Sequence, residues 1–309
     1  METPKIKILL LGSPMILVDD KLTRVSRRRH RLLIYYLAAQ SQPVTRGEIC
    51  ELFWPNVTET TARKNLREAL SRIKSDLGSY NIFHTVDDRI MFNSSVVYSD
   101  IVEFEEIVLP LMNSTAMNSD SSLPDWMILD LKKAMDLCRT PWFLHGVDIC
   151  GPQEFEKWKE ETNHWYSYIH SRIVDRLVDH FISAGDLENA LVWLKTGLES
   201  DRMNADMNYL MLTCLRDLGK FQRMIDEIDF LEGYYRKNGE SLPEQIIELK
   251  SVAESSQDSP DYADIQEWAE PDGGGERFYG RKNELERLNR ALHTKGVVLV
   301  KGEPGSGKR

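Results

Sequence analysis

"TARKNLREALSRIKSDLG", residues 61–78, sets five positive side chains in one short run of a chain that is acidic overall. Its apolar positions decide the reading. Ala62, Leu66, Ala69, Leu70, Ile73 and Leu77 fall within one arc at about 100° per residue, which predicts an amphipathic helix with a buried stripe, ended by Gly78. The opposite face carries Lys64, Arg67, Glu68, Ser71 and Ser75, with Arg63 and Lys74 on its shoulder. That face offers what phosphates attract and what base edges read. Arg pairs bidentately with guanine, Glu accepts from cytosine, and Ser bonds base or phosphate. A merely solvated face would also be charged, so the flanking segments have to decide.

Upstream, "KIKILLLG" (5–12) and "MILVDD" (15–20) read as short strands separated by Gly12-Ser13-Pro14. "SRRRHRLLIYYLAAQ" (26–40) reads as a helix with a basic first turn and an apolar remainder through Leu32, Leu33, Tyr36 and Leu37. In "PVTRGEICELFW" (43–54), Thr45 and Glu48 have capping-box spacing, so a second short helix starts after Pro43. Phe53 and Trp54 at its end are assigned to core packing, and Pro55 breaks the chain. Beyond Gly78, "IFHTV" (82–86) and "IMFN" (90–93) flank Asp87-Asp88 and read as a β-hairpin. Strands, three helices and a terminal hairpin make a winged helix-turn-helix.

Charge agrees with that placement. The 309 residues carry a formal net charge of −10, and the length suits two or three domains. Residues 1–100 hold 15 Lys and Arg against 11 Asp and Glu, a net of +4, while the rest is at −14. A locally basic domain on an acidic chain fits a polyanion partner at one end. The apolar runs are too short or interrupted to span a bilayer, and the N-terminus lacks a secretory pattern. Cys50, Cys138, Cys150 and Cys214 form no CxxC pair and read as thiols in a reducing compartment. The expectation is a cytoplasmic protein without membrane contact. No metal site is expected, since His164, His170 and His180 are scattered along one long predicted helix.

The middle of the chain changes texture. "NSTAMNSDSS" (113–122) reads as a polar loop, and the pattern then turns helical. Gly185 and Gly219 lie 34 residues apart, and "SAGDLENALVWLKTGL" aligns with "DLGKFQRMIDEIDFLE". That is the tetratricopeptide period, and Ala190 and Leu194 match Met224 and Ile228 in the second helices. Two repeats are too few for a stable solenoid, so flanking helices such as residues 154–182 must complete the core. "TPWFLHGVDICGP" (140–152) is long and aromatic-rich for a connector. An acidic Pro- and Gly-bearing linker follows, and then "GVVLV" (296–300) leads into "GEPGSGK" (302–308). A strand, a Gly-rich loop and a Lys make a P-loop, in which Gly302, Gly305, Gly307 and Lys308 would hold phosphate. Arg309 stands where the motif wants Ser or Thr for Mg²⁺. The residues present therefore predict no cofactor of their own and no enzyme activity, and ATP with Mg²⁺ belongs to a longer chain carrying a whole ATPase domain.

The order "RRRHRLLIYYLAAQ", "PVTRGEICELFWP", "ARKNLREALSRIKSDLG" resembles the N-terminal domain of the SARP family, bacterial activators of secondary-metabolite genes with an OmpR-like DNA-binding domain. The resemblance implies that the third helix enters the major groove, with Arg63, Lys64, Arg67, Ser71 and Lys74 at the DNA. It makes Arg89 the wing contact, and the first helix start offers Arg28 and Arg29, with Arg27, to phosphates. "FEKWKEETNHW", "AGDLENAL" and "LMLTCLRDLGKFQRMI" resemble, in order, that family's transcriptional activation domain. This second likeness implies a homodimer on direct-repeat promoter sites of double-stranded DNA and contacts with RNA polymerase. "FYGRKNELERL" (278–288) looks like the lead-in helix of AAA-like and STAND signalling ATPases.

The expected fold is mainly α with a small β component. A winged helix-turn-helix covers 1–105, a helical tetratricopeptide-like domain 106–256, a linker 257–276 and the start of a P-loop domain 277–309. The expected function is sequence-specific transcriptional activation. The competing expectation is a STAND-type signalling ATPase whose N-terminal modules bind protein rather than DNA.

Overall fold

The computed structural model describes residues 4–119, 122–147 and 151–257. The linker and P-loop read beyond residue 257 lie outside the described residues. The described residues up to Glu254 belong to one compact unit.

The basic N-terminal part folds around three helices between two small sheets. β1 (Ile6–Leu9) and β2 (Met15–Val18) pair antiparallel, as their alternation predicts. Two strands that the sequence reading did not name extend this sheet. β3 (Lys21–Leu22) continues it antiparallel to β2, and β7 (Val97–Ser99) runs parallel to β1 with Ile6 opposite Val97. Runs of two and three residues are too short to show a period of two. α1 (Arg28–Ala38) buries the whole stretch Leu32 to Ala38. β4 (Val44–Thr45) leads into α2 (Arg46–Phe53), where the predicted capping box forms. The Glu48 N–H donates to Thr45 Oγ1 at 3.1 Å, and the Thr45 N–H donates to the Glu48 carboxylate at 2.8 Å.

α3 (Glu59–Asp76) then buries the predicted stripe, with Ala62, Leu66, Ala69, Leu70 and Ile73 inside and Leu77 buried just past its end. β5 (Phe83–Val86) and β6 (Arg89–Phe92) form the expected hairpin, and β6 also pairs with β4. Asp87 at its tip takes a φ of 54°, the left-handed region that Asp adopts more readily than most non-glycine residues.

α4 (Asp100–Met112) follows β7 directly and runs through residue 105. The segment 113–119 is mostly irregular, with one 3₁₀ turn at Ala116–Asn118, and α5 (Asp125–Leu137) follows. The helical part continues through α6 (Gln153–Ser183), α7 (Leu187–Ser200), α8 (Ala205–Asp217), α9 (Phe221–Lys237) and α10 (Glu244–Gln257). α7 and α9 begin 34 residues apart, each after a glycine at left-handed φ, Gly185 at 72° and Gly219 at 70°. That geometry is open to glycine without strain, which lets each helix reverse tightly onto the next. The matched Ala190, Leu194, Met224 and Ile228 are all fully buried. Flanking helices complete the core, as two repeats require: α6 packs along α7, and α10 closes the far end with Ile246, Leu249 and Ala253.

An aromatic spine joins the two parts. Phe53 at the end of α2 lies 5.6 Å from Phe155 at the start of α6, and Tyr36 of α1 lies 4.9 Å edge-on from Trp158. The aromatic connector packs here too. Phe143 is buried against Trp158 and Tyr166, and the Leu144 N–H donates to the Leu10 carbonyl, extending the line of β1. Asp100 pins the same corner. Its buried carboxylate accepts the Leu10 N–H at 2.7 Å and the Leu11 N–H at 3.0 Å, with Arg139 at 3.4 Å. Burial pushes its pKa up, against these hydrogen bonds and the Arg139 charge.

Candidate nucleic-acid interface

α3 is the element on which most predicted site residues meet. Its buried stripe fixes its rotation, so Lys64, Arg67, Ser71 and Lys74 stand exposed on one outer face. Among the described residues no carboxylate pairs with Lys64, Arg67 or Lys74, which leaves their charges free for a ligand. Glu68 and Ser75 are exposed beside them.

Arg63 has different surroundings. Its Nε donates to Glu59 at 2.9 Å and its Nη1 to Asp88 at 3.1 Å, and these hydrogen bonds raise its pKa further. Asp88 belongs to the hairpin tip, and its carbonyl also accepts the Arg46 N–H at 2.9 Å. Arg63 therefore ties α3 to the wing. Arg89, the first residue of β6, is exposed next to that tip, opposite Thr45 of β4 and close enough to the start of α2 to act on Glu48.

The three arginines at the start of α1 divide. Arg27 and Arg29 line a cleft of about 820 Å³ whose other wall is α3, with Arg67, Ser71 and Arg72. The Arg29 guanidinium lies over the Trp54 ring at 5.7 Å from its centre. Trp54 and Phe53 are buried, as core packing requires. Arg28 lines only a second cavity of about 690 Å³, which Arg29 also borders, with Pro55, Gly151 and Pro152 where the winged helix meets α6. The structure thus gathers Arg29, Arg67 and Ser71, leaves Lys64 and Lys74 along the open face, and turns Arg28 towards the helical part.

Sequence reasoning did not single out Arg72 or His30. Arg72 lies four residues beyond Glu68, off the outward row, and only the crossing of α1 over α3 makes that side of the helix a wall. His30 looked like one more polar residue of a basic helix start, yet it is buried and lines the same cleft. P-loop residues Gly302, Gly305, Gly307 and Lys308 lie outside the described residues. No described helix is long and apolar enough to cross a membrane.

No family model matches the chain, and no curated protein matches it. Among solved structures it is similar to Mycobacterium tuberculosis EmbR, determined in complex with a low affinity phosphopeptide. The TM-score is 0.50 at 12% identity, over 86% of this chain and 69% of that one. At that identity the likeness is one of fold. It bears out a winged helix followed by a helical domain, the arrangement that the SARP resemblance implies.

Proposed function

We propose that this chain is a sequence-specific DNA-binding transcriptional activator, in which α3 enters the major groove and the hairpin lies along the flanking backbone. One observation carries the reading. Lys64, Arg67, Ser71 and Lys74 form an exposed, unpaired row on a helix whose rotation is fixed by its core stripe and whose start is tied to the wing through Arg63 and Asp88. The row supplies cations for phosphates and a guanidinium and hydroxyl for base edges. Arg89 adds a phosphate contact from the wing, and Arg29 adds charge at the flank. The helical part serves as the surface for dimerisation on direct repeats and for RNA polymerase, a role that rests on the SARP resemblance together with the shared fold. The regulated genes on this reading are those of secondary metabolism or related pathways. The chemistry is binding rather than catalysis.

Selection of sites from a random duplex library, followed by affinity against salt for the winning duplex, tests this. Enrichment of a repeated motif is expected, with affinity falling steeply as salt rises because phosphate contacts release counterions. Salt-sensitive binding without an enriched motif would reduce α3 to a basic patch. An absence of binding even at low salt would overturn the reading in favour of a protein-docking module.

A further inference from the structure

The cleft between α1 and α3 has features that base reading does not need. Arg27, Arg29 and His30 line it from one side, Arg67, Ser71 and Arg72 from the other, and Glu68 is the one carboxylate in its lining. Four guanidinium groups around one concavity repel one another, and the unfavourable term falls when an anion sits among them. The start of α1 points the same way. This helix of 11 residues has no side-chain cap and no acidic residue in its first turn, so its positive end is uncompensated. An independent sign is His30. It is only 7% exposed, and its Nδ1 is buried without a hydrogen-bond partner. Buried polar atoms in native folds are almost always bonded, so the orphan Nδ1 marks unmet hydrogen-bonding capacity in a residue of this lining.

We propose that this cleft is a phosphate-binding site. A phosphate group supplies several acceptor oxygens for the guanidinium forks and the Ser71 hydroxyl, and it carries the charge that the helix start favours. Two sources share that chemistry. One is the DNA backbone beside the groove that α3 reads, and only this source rests on the function proposed above. The other is a free phosphorylated molecule, which would occupy Arg67 and Ser71 and so compete with DNA.

The full chain carrying both R27Q and R72Q is the test, because both side chains are exposed and neither belongs to the outward row of α3. A control with K5Q and K21Q removes the same charge from exposed positions outside the cleft. Calorimetry with pyrophosphate and duplex affinity against salt are measured on all three proteins. If free phosphate is the source, pyrophosphate binds the wild type and the control and is weakened by roughly tenfold or more in the cleft variant. If the backbone is the source, the cleft variant alone loses about two units of salt slope, alike for cognate and random duplexes. Unchanged pyrophosphate and duplex behaviour in the cleft variant would overturn the site while leaving DNA reading intact. A wild type that binds pyrophosphate through the cleft but no duplex would sink the DNA reading and keep the site.

Discussion

Arg63 and Arg67 stand one turn apart on α3 yet meet different surroundings, and the difference sets what each substitution should do. Arg67 is exposed and unpaired, so Arg67→Ala should weaken a selected duplex by roughly 1–3 kcal/mol and relax preference at one base position. Fluorescence anisotropy with single-base variants of the site checks it. An equal loss on all sequences would make Arg67 a phosphate contact only. Arg63 is spent on Glu59 and Asp88, and both pairs are solvent-exposed, so Arg63→Ala should leave the urea unfolding midpoint almost unchanged. A different residue, His170, contributes to pH dependence. Burial lowers the pKa of His170 from 6.5 to about 4, so the folded state holds it neutral where the unfolded chain binds a proton. The stability it contributes is complete above pH 6.5 and is lost as pH falls towards 4. Linkage puts that loss at about 2 kcal/mol between pH 7.5 and 5. Urea unfolding at the two values, with His170→Leu as the reference, should show the difference shrink in the variant. A variant that loses as much as the wild type would contradict it.

The capping box of α2 shows what local sequence can carry. Thr45 and Glu48 bond each other's backbone N–H groups without help from elsewhere in the chain. Thr45→Ala should therefore cost about 1 kcal/mol, read as a lower urea midpoint at unchanged slope. An unaltered midpoint would mean that packing of Ile49, Cys50 and Phe53 alone holds the helix. The α3 stripe, the hairpin around Asp87-Asp88 and the 34-residue spacing of α7 and α9 were legible for the same reason. Each is a pattern repeated over neighbouring residues, or a turn residue with its own conformational preference. The strands β3, β4 and β7 were not legible. Their two or three residues pair with partners set by the fold, and β7 reaches β1 across some ninety residues of chain. The connector at 140–152 showed its aromatic content but not its destination. Only the segment just past β1 offers the carbonyls of Leu10 and Gly12 that its Leu144 and His145 N–H groups use.

At the scale of the molecule, the winged helix and the helical part share a core through Phe53, Phe155, Tyr36 and Trp158. Phe155 is fully buried, and Phe155→Ala should cost roughly 3–5 kcal/mol. Tryptophan fluorescence and far-ultraviolet circular dichroism should shift together, because the cavity opens between the two parts rather than within one. Separate transitions by the two probes would mean that the spine does not couple them. Half of the candidate interface follows from α3 alone, since a buried stripe dictates which side chains face out. The sequence by itself thus determined the winged-helix order, the outward basic row and the helical repeat, because periodicity and capping act between residues close in the chain. Only the tertiary structure decided that Arg63 is held by the wing, that Arg28 turns towards α6, and that Arg27, Arg29, His30 and Arg72 close a cleft with Arg67 and Ser71 of the outward row. Those arrangements depend on where helices cross and loops return, and such contacts are set by the packing of a common core rather than by any local pattern.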